Sequence, residues 1–168
     1  MMMRTLEEKD MIHCLEIYNY YIKNTCFTLE EEKLSLEGFK KRCEGILKKY
    51  PFIVLENEEK QIIGYAYLNT FNPRSSYRHT ADLSIYVHKD HLHEHTGGIL
   101  LEEIEKIALQ YDITNIISIV TSENKNSFHF HEKNGFVLEG TLHDVAIKFF
   151  KIISVYYFRK PLCAMKKD

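Results

Sequence analysis

Apolar residues recur along the chain in two rhythms, one of about 3.6 residues and one of two. Met11, Leu15, Tyr18 and Ile22 fall at spacings of four, three and four, which predicts an amphipathic helix after a short opening strand at MRTL. Beyond the loop NTCFTLEEEK, Ser35 is placed to cap a second helix with Leu36, Phe39, Cys43 and Ile46 on its apolar face, and Pro51 ends it. FIVLE, the turn NEEKQ and IIGYAYLNTF then read as a β-hairpin, with Gly64 marking a bulge or bend in the second strand. In ADLSIYV, Leu83, Ile85 and Val87 alternate with Asp82, Ser84 and Tyr86, the period-two signature of a strand. Leu100, Ile104, Ile107 and Tyr111 predict the buried stripe of a third helix, and NIISIVT a strand covered on both faces. A short helix over about 126–134 stops at Gly135, and two strands near FVLEGTL and IISVYYFRK close the chain.

The resulting order, β-α-α-β-β-β-α-β-α-β-β, describes a mixed α/β (α+β) domain with a central sheet flanked by helices. No repeat, low-complexity run or linker divides residues 1–168, so one domain is expected. Its chemistry is expected where ADLSIYV delivers the chain into the next loop and helix, because a helix N-terminus presents unpaired N–H groups and a positive dipole end.

Composition narrows the partners. A formal charge of −2 with 27% charged residues gives no basic surface, so nucleic acid is not an expected partner. The start MMMRTLEEKD lacks the apolar run of a signal peptide, and no stretch has transmembrane length, so no membrane partner is expected. Cys14, Cys26, Cys43 and Cys163 form no CxxC pair and read as reduced packing residues in a cytoplasmic chain.

The stretch HKDHLHEHTGG, residues 88–98, holds four histidines and two glycines. Imidazole favours zinc, copper and nickel, but H-x-x-H-x-H-x-H matches no defensible zinc spacing and has no evident partner to orient its rings. No metal is expected. The alternative is a phosphate-binding turn leading into the third helix.

Several segments in order carry a resemblance: IYNYYIKNT, GYAY, YRHT, SIYVHKDH, N-x-x-S at Asn124–Ser127, HEKNGF at 131–136, and Lys148–Phe149. Together they resemble the GNAT superfamily of acetyl-CoA-dependent N-acetyltransferases, in the branch that acetylates phosphinothricin, methionine sulfoximine and related amino acids. The resemblance implies acetyl-CoA as cosubstrate, a small-molecule amine as acceptor, direct attack in a ternary complex, and a homodimer. It implies cofactor contacts from the backbone of Ile85, Tyr86 and Val87, from the loop residues His93, Glu94, His95, Thr96, Gly97 and Gly98, and from Asn124, which also suits a helix start. Asp82 falls where this branch carries a glutamate that accepts the amine proton, and His131 where it carries a histidine handling protons. Arg74, Tyr77 and Arg78 fall at the acceptor pocket, where arginine suits a substrate carboxylate.

Two departures from the family pattern stand out. The loop usually reads R/Q-G-x-G-x-G/A, and here Leu92–Gly97 keeps only the last glycine, so weakened cofactor binding is expected. In the late segment, Phe150, Ile152 and Ser154 stand at family glycine, tryptophan and aspartate positions. The other reading is therefore a binding or regulatory module of the same fold whose catalysis has faded.

Overall fold

A computed structural model describes residues 1–92 and 94–162; His93 and Cys163, both considered above, lie outside the described residues. The helices and strands follow the expected order: β1 (Met2–Thr5), α1 (Met11–Asn24), α2 (Leu36–Leu47), β2 (Phe52–Glu56), β3 (Ile62–Thr70), β4 (Thr80–Val87), α3 (Thr96–Gln110), β5 (Asn115–Thr121), α4 (Lys125–Lys133), β6 (Val137–Lys148) and β7 (Lys151–Pro161). The hydrogen-bonded strand order is β1-β2-β3-β4-β5-β7-β6. No helix among the described residues is long and apolar enough to cross a membrane.

The chain divides into two compact units. The first holds Met1–Asn19, Leu34–Asn69 and Leu83–Asp112; the second holds Tyr20–Lys33, Thr70–Asp82 and the described residues from Ile113 on. In the first, β1, β2 and β3 pair antiparallel. Leu55 and Glu56 pair with Gly64 and Ile62, which leaves Ile63 as the extra residue of a bulge beside the expected glycine. Ser35 caps α2 as its position foretold, its hydroxyl accepting from Gly38 N at 3.1 Å. Met11, Leu15 and Tyr18 are buried, and Phe39, Cys43 and Ile46 bury the inner face of α2, while Leu36 stays partly exposed at the first turn.

One stripe differs from expectation. The buried apolar residues of α3 are Leu100, Leu101, Ile104 and Ala108, whereas Ile107 is only half-buried and Tyr111 is exposed beyond the last turn. Spacings of four keep 100, 104 and 108 on one face, and a stripe drawn through 107 and 111 drifts off it.

In the second unit β4 begins parallel to β5, pairing Thr80–Asp82 with Asn115–Ile117, and all seven residues of β5 pair antiparallel with β7. Past half-buried Asn115, β5 is buried as expected except at Ile119, which is 44% exposed. β6 runs six residues past the expected strand, to Lys148, through register shifts at Leu138/Gly140 and Leu142/Ala146. Cys14, Cys26 and Cys43 are buried free thiols; burial pushes Cys43 up to about 12, leaving it unreactive at neutral pH.

Candidate active site

The mouth of α3 belongs to the first unit. His88 N, one residue past β4, donates to Ile63 O at 2.8 Å, and a 3₁₀ turn over Lys89–His91 then redirects the chain. His95 caps α3 in the left-handed conformation, φ 58°, where glycine is the relaxed choice and another residue costs roughly 1–2 kcal/mol. Its carbonyl accepts from Ile99 N at 3.0 Å, so the amides of Thr96, Gly97 and Gly98 occupy the first turn, where an α-helix has no internal acceptors.

Three observations describe what this mouth can hold. The Thr96 hydroxyl is fully buried and finds no hydrogen-bond partner among the described residues. The first turn carries no acidic residue to oppose an anion, and a Cβ at Gly98 would meet nothing within 4 Å. Glu94, the acid nearest the turn in sequence, is drawn into a 2.8 Å contact with His91 Nδ1. An oxygen-rich anion fits these residues: it would meet three N–H donors, a hydroxyl and the positive end of the helix dipole.

Gly64 lets the mouth sit where it does. A Cβ there would lie 2.9 Å from Leu100 Cδ1, 3.1 Å from Tyr86 O and 3.2 Å from Thr96 Cγ2. β3 therefore touches both β4 and the first turn of α3 through a position that tolerates only hydrogen.

The second unit holds the remaining candidates. Asn124 caps α4 through its side-chain oxygen, which accepts from Ser127 N at 3.1 Å and leaves the amide NH₂ outside the cap. His131 is buried against Phe136 and, stacked at 5.3 Å, Phe158. Its Nδ1 lies 2.7 Å from Ser127 O, so Nδ1 carries the proton and donates, and Nε2 keeps the lone pair. Burial lowers its pKa below the ordinary 6.5, partly offset by the Ser127 bond, so the ring is neutral at pH 7.

That burial has a measurable consequence. His131 is harder to protonate folded than unfolded, so its stabilising contribution is complete above pH 6.5 and is lost as pH falls through the lower folded value. His131→Leu is expected to flatten the fall in melting temperature between pH 7.5 and 5.5. An unchanged slope would assign that fall to other groups.

Arg74 caps a 3₁₀ turn over Ser75–Tyr77, held by Tyr77 N donating to Arg74 O at 3.0 Å and by an edge contact of Tyr77 with Phe71. The Arg78 guanidinium reaches its own turn at Ser75 O. Arg74, Tyr77 and Arg78 are exposed, and among the described residues the two arginines form no ion pair. Asp82 is half-buried on β4, opposite Ile117 of β5.

Residues 3–154 match the family described as the acetyltransferase (GNAT) domain. The chain belongs to this family. It is 29% identical over 163 residues to the phosphinothricin N-acetyltransferase of Alcaligenes faecalis, covering 96% of this chain and 82% of that one. It is 26% identical over 141 residues to the L-methionine sulfoximine/L-methionine sulfone acetyltransferase of Pseudomonas paraeruginosa, covering 83% and 82%. Among solved structures it resembles a GNAT phosphinothricin acetyltransferase from Sinorhizobium meliloti in complex with acetyl-CoA. That likeness has a TM-score of 0.92, at 25% identity over 95% of this chain and 87% of that one.

In this N-acetyltransferase a single strand, β4, carries Asp82 from one unit and Ile85, Tyr86 and Val87 into the other. Glu94 to Gly98 of the loop cluster at the α3 mouth, in the unit that holds Ile85–Val87. Asp82, Asn124, His131, Arg74, Tyr77 and Arg78 lie in the second unit. Among the described residues no group of three or more His, Cys, Asp or Glu side chains is placed to hold a metal ion.

Sequence reasoning missed one feature of the second unit. Lys148 is fully buried, and its ammonium donates to Thr28 O at 2.8 Å, tying the loop between α1 and α2 to the end of β6. Cys26 Sγ contacts Lys148 O, and Thr121 Oγ1 donates to Cys26 O, fastening the same loop twice more. A lysine in the alternating strand VAIKFF was the available signal, since it falls on the inward face beside exposed Ile147.

Proposed function

We propose that this chain transfers the acetyl group of acetyl-CoA to the primary amine of a small molecule, an amino acid or analogue of the phosphinothricin or methionine sulfoximine type. One domain over residues 1–168 would do so, in the cytoplasm and as a homodimer. The observation that carries the reading is the α3 mouth, where a buried hydroxyl with no partner among the described residues and three helix-terminal amides converge on an acid-free turn. Thr96, Gly97 and Gly98 would hold the pyrophosphate through backbone N–H, with Glu94 kept aside by His91. The family names of relatives acting on phosphinothricin and methionine sulfoximine support the acceptor class.

When bound, acetyl-CoA supplies an activated thioester carbon. The chain's own residues then have distinct tasks. The backbone of Ile85, Tyr86 and Val87 would pair with the pantetheine amides, and the free NH₂ of the Asn124 cap would contact the same arm. Arg74, Tyr77 and Arg78 would bind the acceptor carboxylate. An α-amino group has a pKa of about 8 and attacks only when neutral, so Asp82 would take its proton through a bridging water, aspartate being a methylene shorter than glutamate. The amine nitrogen forms its bond to the acetyl carbon as the C–S bond breaks and thiolate leaves. His131, neutral with its Nε2 lone pair available, would accept a proton at that atom.

Acetyl-CoA consumption against methionine sulfoximine, glutamate analogues and polyamines tests the reading, beside calorimetric titration with acetyl-CoA. Asp82→Asn is expected to lower kcat/KM by ~10²–10⁴-fold while acetyl-CoA affinity stays unchanged. An unchanged kcat/KM would remove Asp82 from the chemistry. His95 in the left-handed region favours a second reading, a binding module with faded catalysis. Heat on titration with no turnover on any amine would support that one, and no heat at millimolar acetyl-CoA would overturn both.

A further inference from the structure

Strand register in the second unit sets one row of side chains beside Asp82. Asp82 of β4 stands opposite Ile117 of β5, and Ile119 and Thr121 follow Ile117 at intervals of two. Across on β7, Tyr157 is opposite Ile119 and Val155 opposite Thr121. Directly opposed residues, and residues two apart along a strand, point to the same face of a sheet. These six therefore share the Asp82 face. The other face carries Tyr156 and Phe158, which α4 covers through Phe128, 4.9 and 5.1 Å from their rings.

Cover over the Asp82 face is uneven. Ile117 and Thr121 are buried, and Thr121 lies under the loop between α1 and α2, its hydroxyl donating to Cys26 O at 2.8 Å. Ile119 stands between them at 44% exposure. Tyr157 beside it is only half-buried, and a Cβ on Gly140, opposite Tyr157, would meet nothing within 4 Å. A bare window thus opens over Ile119. From Ile117 to Thr121 it spans four residues, about 13 Å at about 3.3 Å each. The Asp82 carboxylate marks one end and the α1–α2 loop closes the other, fastened by Lys148 Nζ on Thr28 O and Cys26 Sγ on Lys148 O.

We infer that this window is the subsite for the acceptor's side chain, and that it selects an uncharged, apolar side chain over an anionic one. The inference rests on the acetyl-transfer reading, in which Asp82 takes the amine proton, and adds which amino acids that reaction accepts. An acceptor with its amine at Asp82 can lay its side chain along the row, across Ile119 and Tyr157, in a space about one side chain long. An aliphatic or thioether chain gains there by covering apolar surface that otherwise faces water. An anionic chain would lose water over the same surface without gaining a cation. Arg159, two residues from Tyr157 on the same face, already has its Nε on Glu139 Oε1 at 2.6 Å and its Nη1 on Asn115 Oδ1 at 3.3 Å. An anion would also lie beside the Asp82 carboxylate, and an unpaired charge moved out of water costs more than apolar contact returns.

Kinetics with the full chain and acetyl-CoA test the inference, comparing leucine and methionine sulfone with phosphinothricin and glutamate. The neutral pair is expected to show kcat/KM at least about tenfold higher. Ile119→Lys sets a cation in the window at a position already open to water. It is expected to shift the neutral-to-anionic ratio of kcat/KM by at least about 100-fold toward the anionic pair, with the KM for acetyl-CoA unchanged. Ile119→Ala tests the same contact without a new charge, and its KM for leucine should rise about tenfold while the KM for acetyl-CoA holds. A wild type that prefers the anionic pair, or turns over polyamines alone, would overturn the subsite and leave acetyl transfer standing. Ile119 variants with wild-type selectivity and wild-type KM for leucine would do the same. No turnover on any of these amines would overturn the acetyl-transfer reading and the subsite with it.

Discussion

Arg4→Met is expected to lower the unfolding free energy by about 3–5 kcal/mol, the cost of leaving buried carboxylates without their cation. Arg4 binds two acids at once. Its Nη1 and Nη2 meet both oxygens of Asp10 at 2.6 and 2.8 Å, and its Nε meets Glu56 Oε1 at 2.9 Å, with Nη2 turned to the same oxygen. The acids are almost wholly enclosed, Asp10 with 4% and Glu56 with 8% of its side chain exposed, against 18% for Arg4. Asp10 also accepts from Glu7 N at 2.8 Å, which locks the turn before α1.

The pH dependence identifies the cause. Burial alone would raise the Asp10 pKa, but the Arg4 hydrogen bonds and charge, with the Glu7 amide, bring it below the ordinary 3.8. The wild type therefore keeps this contribution at all pH values above about 4 and loses it as pH falls through the lower folded value. In the variant the two carboxylates face each other without Arg4, so protonation relieves them. Its deficit, roughly 10 °C in melting temperature at pH 7, should narrow at pH 5. A deficit equal at both pH values would mean that Arg4 acts by packing and not by charge.

Gly64→Val is expected to damage the α3 mouth more than any change at the mouth itself. The added carbon atoms collide with a leucine, a backbone carbonyl and Thr96 together, and the carbonyl of Tyr86 is the least able to yield. Overpacking of this kind costs about 1–3 kcal/mol, and the shift of α3 it demands misplaces the amides of Thr96, Gly97 and Gly98. Acetyl-CoA affinity should fall at least tenfold, read by calorimetry. Gly98→Ala is the contrast: its Cβ enters open space, and alanine in place of glycine within a helix stabilises by up to about 1 kcal/mol. If Gly64→Val kept wild-type affinity and melting temperature, β3 would not set the position of α3.

Much of this was readable along the chain. The bounds of β2 and β5, the Ser35 cap, the Asn124 start of α4 and the positive-φ stop at Gly135 (φ 82°) are set by residues within four positions of each other. The bulge beside Gly64 was legible for the same reason, glycine being the local mark of an irregular strand. The α3 stripe was misjudged at Ile107 and Tyr111 because both are apolar at nearly helical spacing, and only the neighbouring strands select which side is covered.

Other features have no local signal. Arg4 and Glu56 are 52 residues apart, Lys148 and Thr28 are 120 apart, and neither pair follows from any spacing. Sequence period, caps and turn residues determined the element order, because hydrogen bonds within helices and hairpins join near neighbours. Tertiary structure decided which groups lose water, and that loss sets the physical outcome for each: a buried lysine held by a carbonyl, a neutral histidine held by Ser127, a glycine kept bare beneath a helix. The histidine-rich loop joins both levels. Its residues were plain in the sequence, but only the fold turned His95 left-handed, drew Glu94 onto His91 and left the Thr96 hydroxyl buried with no partner among the described residues.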